Sequence, residues 1–307
     1  MHWDQYWDAT TSLSSFAELN NQFGYPDEVL LFWEKIILKQ NKTTIKILDL
    51  ATGRGALAIW LQVVCDKHGI DAEIYACDFA KIDISSIKSD DKQVLAAISK
   101  INFAFSTGLE SLHYDDDFFD LVVSQFGFEY SNWAESLAQV HRVLKPHAAL
   151  VFMMHHHQSA IAINSAAGLS VFESVIKTGV FTTLQDAITE KLAGNEAQFT
   201  HLNQQAITKL NALKIDQDDE LEWFLDLVNH IASIMKTINT HSEDKLLRLK
   251  TNVDHQVMRL SEQTSVSYTK KQINERIACS HSQIEVVDLT QCIVENHPFA
   301  WVLSAKI

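Results

Sequence analysis

Two rhythms of apolar residues alternate along this chain. Short apolar runs at residues 45–50, 73–77, 101–105, 119–124 and 148–154 are bounded by turn-forming residues and predict buried strands. Between them, apolar positions at 3- and 4-residue spacing predict helices over 27–40, 55–67, 91–100 and 133–144. The first carries Leu30, Leu31, Trp33, Ile36 and Ile37; the second carries Leu57, Ile59, Trp60, Leu61 and Val64. Strands alternating with helices imply a parallel sheet covered on both faces.

The alternation then stops. Residues 159–262 show only helical periodicity. One stripe runs through Leu221, Phe224, Leu225, Val228, Ile231 and Met235, a second through Leu246, Leu249, Val253, Val257 and Leu260. Beyond the block, 268–279 predict a helix, and 283–289 and 299–307 predict two strands. The expected architecture is an α/β, doubly wound, mostly parallel seven-stranded sheet with an inserted all-helical subdomain. Its segments are 1–157 (N-terminal arm and first part of the sheet domain), 158–265 (helical insertion) and 266–307 (its completion).

Composition narrows the function classes. With 307 residues, 47% hydrophobic and 21% charged, the chain is ordinary globular material. A net charge of −14 argues against nucleic acid as the main partner, since phosphate binding is driven by clustered Lys and Arg. The four cysteines form no CxxC pair, which predicts reduced thiols. The start, MHWDQYWDAT, lacks a basic n-region and an apolar core, and no run approaches the roughly 20 apolar residues of a membrane span. The expectation is a cytoplasmic protein without a membrane partner.

The densest chemical signal lies in IKILDLATGRGALA, residues 45–58. A buried strand ends in Asp49, passes through a turn at Gly53 and Gly55, and opens a helix. Glycine there permits close backbone approach and left-handed angles, and amides at a helix start favour an anionic group. GRGALA also fits the dinucleotide pattern GxGxxA, so a nicotinamide-dependent oxidoreductase is an alternative. Asp49 counts against it: a carboxylate near a pyrophosphate is unfavourable, whereas it suits an ammonium group.

Asp49-Leu-Ala-Thr-Gly53-Arg-Gly55 resembles the first motif of the class I S-adenosylmethionine-dependent methyltransferases. Cys77-Asp78-Phe79 resembles the end of their second strand, Phe118 to Ser124 their fourth strand, and Leu137 to Pro146 the following helix with its Leu-Lys-Pro ending. The closing FAWVLSAKI resembles their last, antiparallel strand. The resemblance implies S-adenosylmethionine as cofactor and a small-molecule methyl acceptor. It implies cofactor contacts from Asp49, Ala51, Thr52, Gly53, Gly55, Asp78, Phe79, Gly108, Leu109, Ser124, Gln125 and Phe126. Asp78 would hold both ribose hydroxyls, because a carboxylate can accept two protons in a fork. Two positions depart from the pattern: Ala51 stands where a glycine is common, and Gly108-Leu109 where an acid often meets the adenine amino group.

In sheets of this kind ligands bind at the carboxyl ends of strands. Glu129, in the loop after the fourth predicted strand, is the candidate general base or the group orienting a cationic acceptor; a surface glutamate is its structural alternative. His155-His156-His157 follows the fifth strand. In extended chain only His155 and His157 share a face, which is too few ligands for a metal, so no metal is expected and His155 is placed at the acceptor pocket. The aromatic arm with Trp3, Tyr6, Trp7 and Phe16 either folds over the cofactor or packs on helices. The inserted helices serve as a lid or as a homodimer interface. A non-catalytic scaffold or regulator acting through those helices is the remaining alternative.

Overall fold

The computed structural model describes residues 2–10, 12–14, 23–87, 89–280 and 283–307; Phe16 of the arm lies outside the described residues. Two compact units emerge: residues 1–159 together with 266–307, and residues 160–265.

The first unit starts with α1 (His2–Ala9) and α2 (Asp27–Lys39). Then β1 (Thr44–Leu50), α3 (Ala56–His68), β2 (Asp71–Asp78), α4 (Lys92–Ile98) and β3 (Asn102–Phe105) alternate, followed by β4 (Phe119–Gln125), α5 (Trp133–Val143) and β5 (Leu144–His155). Strand order is β3-β2-β1-β4-β5, all parallel. The order reverses between β1 and β4, so their carboxyl ends open the crevice in which such sheets take ligands.

Each central strand is buried on both faces. Ile45 and Ile47 of β1 join one core with Trp33 and Ile37 of α2 and Leu61 and Val64 of α3. Leu48 and Leu50 join the other, with Val122, Phe152, Leu137 and Val140. Period-2 alternation thus resolves into two cores, as expected of a covered parallel sheet.

The helix expected over 91–100 is shortened because Asp91 is its N-cap, accepting from the Gln93 amide at 2.7 Å. The fifth strand is longer than its apolar run. Leu144 already pairs with Phe119 across a bulge, so Leu-Lys-Pro belongs to β5 and not to the end of α5.

The second unit is built from α6 (Ala160–Lys177), α7 (Val180–Leu192), α8 (Glu196–Asn211), α9 (Asp218–Lys236) and α10 (Ser242–Ser265). It has a core of its own, with Val171, Phe172, Leu184, Ile188, Leu227, Ile231, Leu246, Val253 and Leu260. Every seventh residue of the second stripe, Leu246, Val253 and Leu260, is buried. The first stripe is rotated: Leu227 and Ile231 face the core, while Leu221 and Leu225 are exposed. The indole of Trp223 sets that rotation. It would lie 2.7 Å from a Cβ on Gly168, so only glycine lets α6 and α9 approach this closely. By length and composition alone, α6 is long and apolar enough to cross a membrane; its Val171, Phe172 and Val175 lie in this core.

The first unit closes with α11 (Lys270–Cys279), β6 (Glu285–Val294) and β7 (His297–Lys306). Thr269 and Gln272 form a reciprocal capping box, so the helix starts two residues after Tyr268. Strand β7 runs antiparallel to both β5 and β6, completing the order β3-β2-β1-β4-β5-β7-β6.

Candidate active site

The turn after β1 is built from left-handed residues: Ala51 (φ +52°), Gly53 (φ +55°) and Gly55 (φ +86°). Ala51 is the unexpected member. Its methyl group occupies space left by Gly127, where an added Cβ would come within 2.4 Å of it. The alanine that replaces the usual glycine is therefore matched by a glycine in the loop after β4.

Two buried carboxylates hold this turn. Asp49 Oδ2 accepts from the Thr52 hydroxyl at 2.5 Å. Asp78 Oδ2 accepts from the Gly53 amide at 2.7 Å, and its Oδ1 from the Ala80 amide at 2.8 Å. Burial pushes Asp49 up to about 7, opposed by the Thr52 and Ala58 contacts and reinforced by the charge of Asp78. Burial also raises Asp78, with the two amides opposing. Neither carboxylate has a cation beside it in an ion pair among the described residues.

Phe79, just beyond β2, is 60% exposed, which is costly for a phenyl ring unless something covers it. Gly108 lies beside it: a Cβ there would stand 3.8 Å from the Phe79 ring and 3.2 Å from Glu110 Oε2. Leu109 is buried. Gly108 and Glu110 thus lie beside the exposed Phe79 ring. Glu110 also accepts from the Asn132 amide at 2.9 Å, tying this loop to the one after β4. Sequence reading passed over Glu110; its signal was an acid one residue beyond Gly108-Leu109.

At the end of β4, the Ser124 hydroxyl donates to the Leu50 carbonyl at 2.8 Å and accepts from the Phe128 amide at 3.0 Å. Its side chain joins β1 to the loop. Gln125 Oε1 accepts from the Trp33 indole. Phe126 is left-handed (φ +57°) and packs edge-on against His155 and Phe299.

Glu129 is buried, not a surface residue. It sits in a single 3-10 turn, Phe128–Tyr130, packed against β5. Its Oε1 accepts from the His155 amide at 2.8 Å and lies 3.3 Å from His155 Nδ1. Among the described residues, nothing donates a hydrogen bond to its Oε2. On the other side of the imidazole, His155 Nε2 is 3.3 Å from the Tyr130 hydroxyl. The structure therefore brings both candidate catalytic residues into one chain of contacts, with Tyr130 at its end.

His156 is separate from that chain. It is fully buried, accepts from the Gln158 amide at 3.0 Å, meets Gln291 at 2.9 Å and lies tilted against the Trp301 ring. Burial, assisted by His157, lowers it to about 4. Its folded value lies below the ordinary 6.5, so the unfolded chain binds the proton first and stability is lost as pH falls from about 6.5 toward 4. Chemical denaturation between about pH 7 and pH 5 should cost the native protein about 2 kcal/mol more than His156→Gln. Equal losses would remove His156 from the acid response. No group of three His, Cys, Asp or Glu residues with metal-binding geometry occurs among the described residues.

The arm lies on the glycine turn. A Cβ on Gly53 would fall 2.5 Å from the Trp7 ring, and the Trp7 carbonyl accepts from Arg54 at 2.8 Å. Asp4 accepts from the Lys81 amide at 2.9 Å, and Trp3 packs edge-on against Tyr130. Gly55 admits the Phe103 ring, at 2.8 Å from an added Cβ. In this structure, side chains of the protein itself fill the space that both glycines leave.

Residues 48–152 match the family model described as a methyltransferase domain. A demethylmenaquinone methyltransferase of Thermus thermophilus is 28% identical over 148 residues, covering 45% of this chain and 63% of that protein. A ubiquinone/menaquinone biosynthesis C-methyltransferase of Blochmanniella pennsylvanica is 26% identical over 158 residues, covering 48% and 60%. The match thus spans less than two thirds of either relative's length. Among solved structures, a SAM-dependent methyltransferase from Aquifex aeolicus aligns over 92% of this chain and 94% of its own, at 12% identity and a TM-score of 0.42.

Proposed function

We propose that this chain, whose residues 48–152 match a methyltransferase-domain model and whose motifs resemble the class I S-adenosylmethionine-dependent family, transfers a methyl group from S-adenosylmethionine to a nucleophile on a small molecule. The observation that carries this reading is the pair of buried carboxylates at adjacent strand ends. Asp49 is held at about 7 by burial, the state expected of a carboxylate whose cation arrives with a ligand. Asp78 presents two oxygens, each with a lone pair left after accepting one backbone amide.

These donors and acceptors fit the cofactor. Asp49 would face its ammonium group, Asp78 the two ribose hydroxyls, and Phe79 with Gly108 the flat adenine. When bound, S-adenosylmethionine supplies a methyl group on a positively charged sulfur. The protein supplies alignment and a dry pocket, which is most of what an in-line displacement requires.

Two relatives named for quinone methylation support a small organic acceptor. The aromatic rim of Trp3, Tyr130, Phe126 and Phe299 supports an acceptor with a flat ring. The acidic balance of the chain favours neither nucleic acid nor an anionic membrane surface as partner, and a cytoplasmic setting is the reading that goes with it.

Calorimetric titration with S-adenosylmethionine, S-adenosylhomocysteine and NAD tests the reading. Micromolar binding of the two adenosyl ligands and none of NAD is expected. Binding of NAD alone would replace the reading with a nicotinamide oxidoreductase. Absence of all three on folded protein would leave a scaffold.

A further inference from the structure

We propose, resting on the methyltransferase reading above, that the Trp7 end of α1 is an autoinhibitory plug on the cofactor edge, latched by Arg54. S-adenosylmethionine then binds only as this end of the helix lifts from the glycine turn.

The two glycines of the turn are covered in different ways. Beside Gly55 stands the ring of Phe103, a residue of β3 that packs against the core of the sheet and stacks on Phe105. Its strand, paired with β2, holds that ring in place. Beside Gly53 the three nearest atoms all belong to the Trp7 indole, the closest 2.5 Å from an added Cβ. Trp7 sits in the last turn of α1, a helix of 8 residues. A helix this short is marginal in water, so α1 persists because it is docked. The face of Gly53 is therefore the one that opens. Close approach to that face is what a glycine permits, and the indole takes the room.

Arg54, between the two glycines, supplies the latch. It is 4% exposed. Its Nη2 donates to the Trp7 carbonyl at 2.8 Å, while among the described residues Nε and Nη1 are buried with no hydrogen-bond partner. The carbonyls of a helix's last turn have no partner inside the helix and carry its negative end. Helix α1 has no basic residue of its own in that turn, and Arg54 takes the place of one. The latch is poised and not locked. Two unsatisfied donors on a buried cation cost stability, and lifting Trp7 lets water reach them. A ligand has to overcome only the difference.

The other end of the helix is held separately. Asp4 accepts from the Lys81 amide at 2.9 Å, and Trp3 packs edge-on against Tyr130. These contacts lie on the loops after β2 and β4, whereas Trp7 and Arg54 meet at the turn after β1. The Trp7 end therefore rises from the glycine turn while the first turn of α1 stays where it is. Arg54 is a positioning residue here: it acts on the ligand through the arm.

The test measures S-adenosylhomocysteine affinity by calorimetry on the full chain and on two variants. Trp7→Ala removes the plug and Arg54→Met removes the latch. A closed state that must be displaced weakens apparent affinity by the fraction of molecules it holds, so each variant should bind about fivefold or more tightly than the native protein. Hydrogen exchange of the amides of residues 6–9 is the second readout. S-adenosylhomocysteine should speed that exchange in the native protein, and Arg54→Met should speed it without ligand. A merely structural Arg54 would lower the melting temperature and move neither readout. Binding by the variants alone would be the expected result in stronger form. The plug is overturned if Trp7→Ala binds no more tightly than the native protein, a result that stands even if Arg54→Met does not fold. It is also overturned if the ligand slows exchange at residues 6–9, which would make the arm a cover over bound cofactor. Tighter binding by Trp7→Ala beside an unchanged, folded Arg54→Met would overturn the latch. Failure of the native protein and of both variants to bind S-adenosylhomocysteine would instead remove the methyltransferase reading.

Discussion

Asp78→Ala should weaken S-adenosylhomocysteine binding by about a hundredfold or more. Two hydrogen bonds from ribose hydroxyls to one carboxylate are charge-assisted, and each such bond contributes about 1.5–3 kcal/mol. The substitution has a second effect. It removes the acceptor for the Gly53 and Ala80 amides, so the turn that presents the site also loosens. Both losses act in the same direction on affinity but differ in thermal melting. Asp78→Asn separates them. It keeps the shape and one acceptor oxygen but puts an amide donor where the other oxygen accepts, so it should melt closer to the native protein while binding as poorly as Asp78→Ala. Calorimetry with either variant within about threefold of native affinity would take Asp78 out of the cofactor site.

Affinity for S-adenosylmethionine should rise with pH up to about 7 and then level off. Asp49 is held at about 7, far above the usual carboxylate range, by burial and by the charge of Asp78. A cationic ligand needs the ionised form. Below about pH 7 binding must therefore release a proton, and affinity should fall up to about tenfold per pH unit. Calorimetry in buffers of different ionisation enthalpy measures that proton directly. Asp49→Asn should flatten the profile and bind more weakly above about pH 7. A native profile as flat as the variant's would mean Asp49 is already ionised, or is remote from the ligand.

The folded protein pays for this arrangement in stability. Because the folded value of Asp49 is raised, the unfolded chain loses its proton first, and the cost of ionising it in the fold grows as pH climbs from about 4 to 7. His156 acts in the opposite sense, costing stability as pH falls below about 6.5. A cationic ligand beside Asp49 would offset that cost by supplying the missing cation. Its binding should therefore stabilise the protein most above about pH 7.

Much of the architecture was legible in the sequence. The period of the apolar residues separates strands from helices, and the break in alternation after residue 157 marks the helical block. Asp49, the glycine turn and Asp78 could be placed at strand ends because each acid closes an apolar run. These are local facts. A backbone turn and a strand end are fixed by residues a few positions apart, so a one-dimensional pattern contains them.

Contacts between residues far apart in sequence had no such signature. The pairing of Ala51 with Gly127 looks in sequence like a missing glycine and an unrelated one; only packing makes them complementary. The extension of β5 to Leu144 depends on the Phe119 bulge, and the rotation of α9 depends on Trp223 meeting Gly168. Glu129 stood in a polar-looking loop, yet the turn at Phe128–Tyr130 folds it inward onto the end of β5. Sequence determined that the chain would form a doubly wound sheet with two acids at the carboxyl ends of adjacent strands. Tertiary structure decided which side chains meet there, because burial and proximity arise only when strands distant along the chain become neighbours in the sheet.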